Sequence, residues 1–296
     1  MPSQTVMSRV YRRHNKHIYR LNHMWRGARD LSKKHKSGIA FGGGGTRGIA
    51  HLGVIRVLQE NSIDFDCVAG NSAGAIAGAL YAADIPWQEL YDFVLTIKDK
   101  NVLPKRPALL TYMSPEIIER LADCFLKDMD FKDLHRPFCA VAVDLEQGTL
   151  ETLCSGSVSK AVSASCAVPG VFAPVRIGDK TYIDGGTLRS IPTQEIRDMG
   201  ADTVVGVNLN ADRSRGTNSL RRIDVFLTAY NLSININSQI CEKCADLMLR
   251  PQLGSFARHS LKSVEEMLKI GEDTVNEHID ELRKLVGTQL KRTAGG

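Results

Sequence analysis

Gly70-Asn71-Ser72-Ala73-Gly74 is a G-x-S-x-G pentapeptide. It falls where the apolar run Phe65 to Ala69 ends and the small-residue run Ala73 to Ala83 begins, so the serine sits on a predicted strand-to-helix turn. In that context the motif marks a nucleophile elbow. Gly70 and Gly74 let strand and helix approach closely enough for a strained turn that lifts the hydroxyl into a cleft. The helix that starts at Ala73 directs its positive end at Ser72 and favours developing alkoxide charge. The chemistry this suits is acyl transfer, which also needs a base and donors for an oxyanion.

About 25 residues earlier stands Gly42-Gly43-Gly44-Gly45-Thr46-Arg47-Gly48, again between a predicted strand and helix. Consecutive glycines expose backbone N–H groups with no side chains in the way, as an oxyanion hole or a phosphate cradle requires. Gly43-x-Gly45-x-x-Gly48 also fits the dinucleotide fingerprint, with Asp64 and Asp66 roughly 20 residues further on. Both acids open the second predicted strand, however, whereas the ribose-binding acid belongs at its end. A phosphate P-loop fails because no Gly-Lys-Ser/Thr follows the glycines.

Asp184-Gly185-Gly186 follows the apolar stretch Thr181 to Ile183. Alone, Asp-Gly is a turn signal; here its glycines would let a carboxylate turn into a site at a strand end. The glycine loop with its arginine, then G-x-S-x-G, then D-G-G, each at a strand end, resembles the patatin-like phospholipase family. The resemblance covers Gly38 to Gly200 and includes Ala164 to Pro174, similar to the segment that bacterial members carry before their aspartate strand. It implies Ser72 as nucleophile and Asp184 as the base of a Ser-Asp dyad without histidine, Gly185 and Gly186 as the dyad loop, and Gly43, Gly44, Gly45, Arg47 and Gly48 as the oxyanion loop. It further implies hydrolysis of fatty-acyl esters of phospholipids, lysophospholipids or related lipids, with no cofactor and no metal. Gly42 stands where plant members often have Asp, and Asn71 where Thr is common.

Two other readings stay open. One is an α/β-hydrolase triad in the order Ser, Asp, His, with His259 or His278 as the histidine. The other is a lipid-binding module without chemistry, against which the intact serine, aspartate and glycine loop argue together.

These residues need a scaffold of alternating strands and helices. Strands are expected at Gly38–Phe41, Phe65–Ala69, Phe138–Asp144, Thr149–Cys154, Phe172–Ile183 and Thr203–Asn208, with helices at Ile49–Glu60 and Ala73–Ala83, after Pro86, and after the Ser114-Pro115 cap. Loops are expected at Asn101–Pro107 and Asn210–Asn218. Leu220–Leu247 and Leu261–Leu290 carry helical periodicity, the latter interrupted at Gly271. The expected fold is a three-layer α/β/α sandwich with a mostly parallel sheet, as one catalytic domain over 38–296 with its motif core in 38–200 and C-terminal helices in 219–290.

Residues 1–37 form a separate extension. Met7, Val10, Tyr11, Ile18, Leu21 and Trp25 fall on one stripe of a helix, and residues 1–36 hold ten Lys or Arg against Asp30 alone. Such a helix can lie on an anionic membrane or pack on its own domain. Because the basic excess is confined there, although the chain carries +5 overall, no nucleic-acid partner is expected. Seven cysteines, an odd number scattered through apolar stretches, suit reduced thiols and a cytoplasmic setting with peripheral membrane contact. Cys241 and Cys244 have metal-ligand spacing but lack a second pair. No apolar run reaches the length of a membrane span, and the N-terminus lacks the apolar core of a secretory signal.

Overall fold

The computed structural model describes residues 35–99, 113–211, 221–254, 256 and 263–287. The basic N-terminal helix, the 101–107 loop, most of the 210–218 loop and His259 lie outside the described residues. In chain order the strands are β1 (Ser37–Phe41), β2 (Cys67–Gly70), β3 (Phe138–Asp144), β4 (Thr149–Leu153), β5 (Val175–Ile177), β6 (Lys180–Asp184), β7 (Thr203–Val207) and β8 (Leu247–Leu249). The helices are α1 (Ile49–Glu60), α2 (Ala73–Ala82), α3 (Trp87–Asp99), α4 (Glu116–Leu126), α5 (Val158–Ser165), α6 (Thr193–Asp198), α7 (Arg222–Glu242), α8 (Val264–Glu277) and α9 (Ile279–Val286). No described helix is long and apolar enough to cross a membrane.

All eight strands form one sheet. β3, β2, β1, β7 and β8 lie side by side and parallel, while β4 and β6 pair antiparallel with β3, and β5 with β6. The parallel strands are buried along their length, as expected where helices cover both faces. Alternate residues serve opposite faces. Ile39, Phe41, Val68, Val205 and Leu249 join the core beneath α1, α2 and α8; Ala40, Cys67, Ala69, Val204 and Met248 join Ile196 of α6 and Cys241 of α7 on the other side. The result is the three-layer α/β/α sandwich.

One feature of the pairing sets the site. Gly70, the last residue of β2, is in register with Ala140, and Asp184, the last of β6, with Ala142. β4 also pairs with both Ala140 and Ala142. A strand has two hydrogen-bonding edges, so β2 and β6 must share the other edge of β3, end to end, and their C-termini meet.

The structure departs from the sequence expectations in three elements. The expected strand Phe172–Ile183 is a hairpin of β5 and β6, turning at Gly178 with φ +60°, where glycine is favoured. The short buried strand β8 follows the helical run expected to reach Leu247. α8 passes through Gly271 without a break and ends at His278. Gly271 serves close packing instead: a Cβ there would overlap the Ala50 carbonyl oxygen, and one at Gly53 would strike α8 near Leu268, so α1 and α8 cross almost backbone to backbone. The fold also begins slightly before the expected boundary, since the Lys36 N–H donates to Asp202 Oδ2 at 2.8 Å and the Lys36 carbonyl accepts from the Asp202 and Thr203 N–H groups.

Candidate active site

Ser72 lies between β2 and α2 with φ 53° and ψ −124°, a left-handed conformation that costs about 1–3 kcal/mol for a residue with a Cβ. Its neighbours enforce it. The Gly74 and Ala75 N–H groups donate to the Asn71 and Ser72 carbonyls, both at 2.8 Å, and the Asn71 N–H to Phe41 O at 3.1 Å. A Cβ at Gly74 would stand 2.7 Å from Gly42 O, and one at Gly70 2.7 Å from the Ala75 nitrogen, so both elbow glycines are sterically required. The Ser72 N–H donates to Ser165 Oγ at 2.9 Å, and the Ser165 hydroxyl donates to Val141 O at 2.7 Å. Ser165, at the end of α5 and fully buried, thus ties the Ser72 backbone to β3. It belongs to the Ala164–Pro174 segment, but nothing in the sequence assigned it a role.

The shared edge of β3 brings Asp184 to Ser72. Its carboxylate is 2% exposed and accepts from the Gly186 N–H at 2.7 Å. Burial pushes the carboxyl up to about 6, and the Gly186 N–H together with the polar neighbours Ser72, Tyr230 and Asn71 keeps it from rising further. Desolvation disfavours the charged form while donors favour it, and burial is the larger effect. A Cβ at Gly185 would come within 2.7 Å of Asn71 Oδ1, and one at Gly186 within 2.9 Å of Asp184 Oδ1, which explains both glycines. Tyr230 is contributed by α7, far along the chain, and carried no sequence signal.

In the glycine loop, the Gly42 and Gly43 N–H groups donate to Val207 O and Ser190 O, each at 3.0 Å. Among the described residues, Gly44 and Gly45 are left with N–H groups that donate to no protein acceptor, and both line the cavity before Ser72. The loop is pinned from behind by His51, whose Nε2 lies 2.8 Å from Gly42 O, and by the Asn210 amide, which donates to Gly43 O at 2.7 Å. Burial lowers the His51 pKa to about 4, so the ring is neutral and donates its Nε2–H to that carbonyl. Gly48 packs against Ala73, with 2.7 Å left for a Cβ, seating the loop on the elbow helix. Arg47 is turned elsewhere: its guanidinium donates to Phe256 O at 2.9 Å and Gly254 O at 3.4 Å, so it braces a loop and does not line the cavity.

The cavity has a volume of about 910 Å³, at the upper end for small-molecule sites. Ser72, Asp184, Asn71 and Asn210 form its polar end, and Leu52, Ile76, Leu80, Phe93, Phe125 and Phe172 line its apolar length. Cys166 also lines it, touching Ser72, its thiol kept protonated by burial. No described histidine lines it. His278 holds Thr274 O at 2.9 Å through Nδ1, and His35 faces Thr203.

The rival features find other employment. Asp64 pairs with Arg136 at 2.6 Å and Asp66 accepts from Ser37 at 2.9 Å, both at the start of β2, opposite the glycine loop. The Cys241 and Cys244 thiols donate separately to Asn237 and Gln194, and all seven cysteines are free.

Comparison with known proteins agrees with this geometry. The chain is 31% identical over 187 residues to an uncharacterized NTE family protein of Mycobacterium tuberculosis, covering 62% of this chain and 51% of that one. It is 25% identical over 281 residues to the lysophospholipase NTE1 of Debaryomyces hansenii, covering 84% of this chain and 18% of the relative. The chain therefore spans about half the length, or less, of these curated relatives. The crystal structure of VipD from Legionella pneumophila shares the fold with a TM-score of 0.51 at 16% identity, over 88% of this chain and 73% of that one. The patatin-like phospholipase family model matches residues 39–196, a span that runs from the strand before the glycine loop to beyond Asp184, and the chain is a member of that family.

Proposed function

We propose that this protein hydrolyses fatty-acyl esters of lysophospholipids or phospholipids through Ser72 and Asp184. The observation that carries the proposal is a backbone-strained serine and a buried carboxylate lining one large, mostly apolar cavity. The acyl chain occupies the apolar length, which sets the ester carbonyl over Ser72. Asp184 takes the hydroxyl proton as Ser72 Oγ attacks, and the Gly44 and Gly45 N–H groups stabilise the oxyanion, each worth about 3 kcal/mol in the transition state. Collapse of the tetrahedral intermediate breaks the ester bond, and the departing alcohol takes the proton from Asp184. Water, deprotonated by Asp184, then attacks the acyl-enzyme, and the fatty acid leaves as Ser72 recovers its proton. The name of the Debaryomyces hansenii relative, lysophospholipase, supports a monoacyl substrate.

Ser72→Ala and Asp184→Asn are expected to remain folded and to lose about 10³-fold or more of their hydrolysis of labelled lysophosphatidylcholine. Equal loss in His278→Ala or His259→Ala would replace the dyad by a triad. A wild type inactive on all acyl esters that still bound lipid would replace the enzyme by a binding module.

The basic N-terminal segment is proposed to add an electrostatic contact with anionic membranes, each cation near the surface contributing about 1 kcal/mol. Deleting residues 1–34 should then reduce sedimentation with phosphatidylglycerol vesicles and spare hydrolysis of a soluble short-chain ester. Unchanged sedimentation would refute the contact. The seven free thiols support a reducing, cytoplasmic setting.

A further inference from the structure

α7 presents an uncharged apolar face to the outside. Of its 21 residues only Ser238 and Cys241 are buried, and between Asp224 and Glu242 it carries no charged side chain. At 3.6 residues per turn, Ile223, Leu227, Tyr230 and Ile234 fall on one face, and these line the catalytic cavity. Val225, Ala229, Leu232, Ile236 and Ile240 fall on the opposite face and are exposed, Ile236 at 65% and Ile240 at 58%. Five of the seven large exposed hydrophobics among the described residues are on this one helix, and a sixth, Leu188, follows the Asp184 turn that α7 packs against. Single exposed apolar residues are ordinary on a protein surface; a continuous uncharged stripe along a helix marks an interaction site.

We infer that the outer face of α7 docks on the surface of a phospholipid bilayer, placing the cavity behind it against the lipid. This rests on the lipid-ester reading of the site. The occupant follows from the position and chemistry of the stripe. The helix is one wall of the cavity, so whatever its outer face touches is next to the source of substrate. A lipid interface accepts the uncharged row from Val225 to Ile240 among its acyl chains. The charges stand at the helix ends: at the first turn Arg221 pairs with Asp224 at 3.9 Å beside the exposed Arg222, where phosphate headgroups would lie, and Glu242 at the last is paired with Arg250 at 3.0 Å. Because the attachment is apolar, it does not depend on anionic lipid and survives salt, unlike the contact proposed for the N-terminal segment.

The test compares full-length wild type with Leu232→Gln/Ile236→Gln/Ile240→Gln, none of which lines the cavity. Hydrolysis of a short-chain ester dissolved as monomers should stay within about twofold, while hydrolysis of phosphatidylcholine vesicles should fall about tenfold. Sedimentation with those vesicles in about 0.5 M NaCl should fall in parallel. Should circular dichroism show the triple variant misfolded, Ile236→Ser alone should lower sedimentation about threefold. Unchanged vesicle hydrolysis and sedimentation would overturn the inference. So would light scattering that found a wild-type dimer and a monomeric variant with equal vesicle binding, since a second copy would then cover the stripe. A wild type that bound vesicles through α7 yet cleaved no ester would overturn the enzymatic reading and leave the surface standing.

Discussion

At the scale of single residues, the proposed mechanism requires Asp184 to be basic enough to accept a proton from an alcohol and still ionised near neutral pH. A carboxyl raised to about 6 by burial meets both needs. Hydrolysis of a soluble ester should therefore rise as pH passes through about 6 and level off above it, which initial rates across pH 4.5 to 8 would check. The sign for stability is opposite. A carboxyl whose pKa is higher folded than unfolded binds more protons in the folded state between about 4 and 6, so stability falls as pH rises through that window. Asp184→Asn removes the buried charge and should raise Tm at pH 7.5 relative to wild type, by the equivalent of about 3 kcal/mol at most. The gain should vanish by pH 4, as thermal melts at the two pH values would reveal. Ser165 acts through Ser72: Ser165→Ala strands the Ser72 N–H and the Val141 carbonyl, and should cost about 1–3 kcal/mol of stability. Its kcat should fall about tenfold with KM unchanged, because the elbow and not the cavity is disturbed. The candidates Ser72 and Asp184 and the glycines beside them stood out in the sequence because a strained elbow and close backbone approaches admit few residue types. Tyr230 and Ser165 did not, because a tyrosine in a helix and a serine before a turn occur everywhere. Gly43 and Arg47 carry motif positions, yet the Gly43 N–H meets Ser190 and the Arg47 guanidinium meets the 254–256 carbonyls.

At the scale of elements, the parallel strands were legible because burial on both faces makes them short apolar runs. The same run hid the β5–β6 hairpin, since a two-residue turn leaves apolar content intact, and β8 is too short to interrupt the helical pattern before it. Gly271 illustrates the limit of propensity. As a helix-breaking signal it suggested an interruption, but the crossing with α1 needs its missing side chain more than the helix needs a better former. Gly271→Ala should thus lower stability by about 1–3 kcal/mol through overpacking against Ala50, despite the higher helix propensity of alanine, and leave the specific activity of the folded fraction unchanged. Urea denaturation beside active-site titration would separate the two effects.

At the scale of the whole molecule, membrane attachment should divide into two parts. A salt-sensitive part is lost with residues 1–34, and a salt-insensitive part is lost with the α7 stripe. Vesicle binding measured against ionic strength for both variants and their combination should show the two contributions adding.

The sequence by itself determined the class of the fold and singled out Ser72 and Asp184 as the candidate nucleophile and base, because backbone strain and acyl-transfer chemistry admit few residue types and leave them at fixed spacing. It did not determine how Ser72 and Asp184, more than a hundred residues apart, come to line one cavity. That was decided by the tertiary structure, in which β2 and β6 end against one edge of β3 and α7 closes over the junction. Such pairings depend on which strand edges meet, and no local pattern of side chains records that choice.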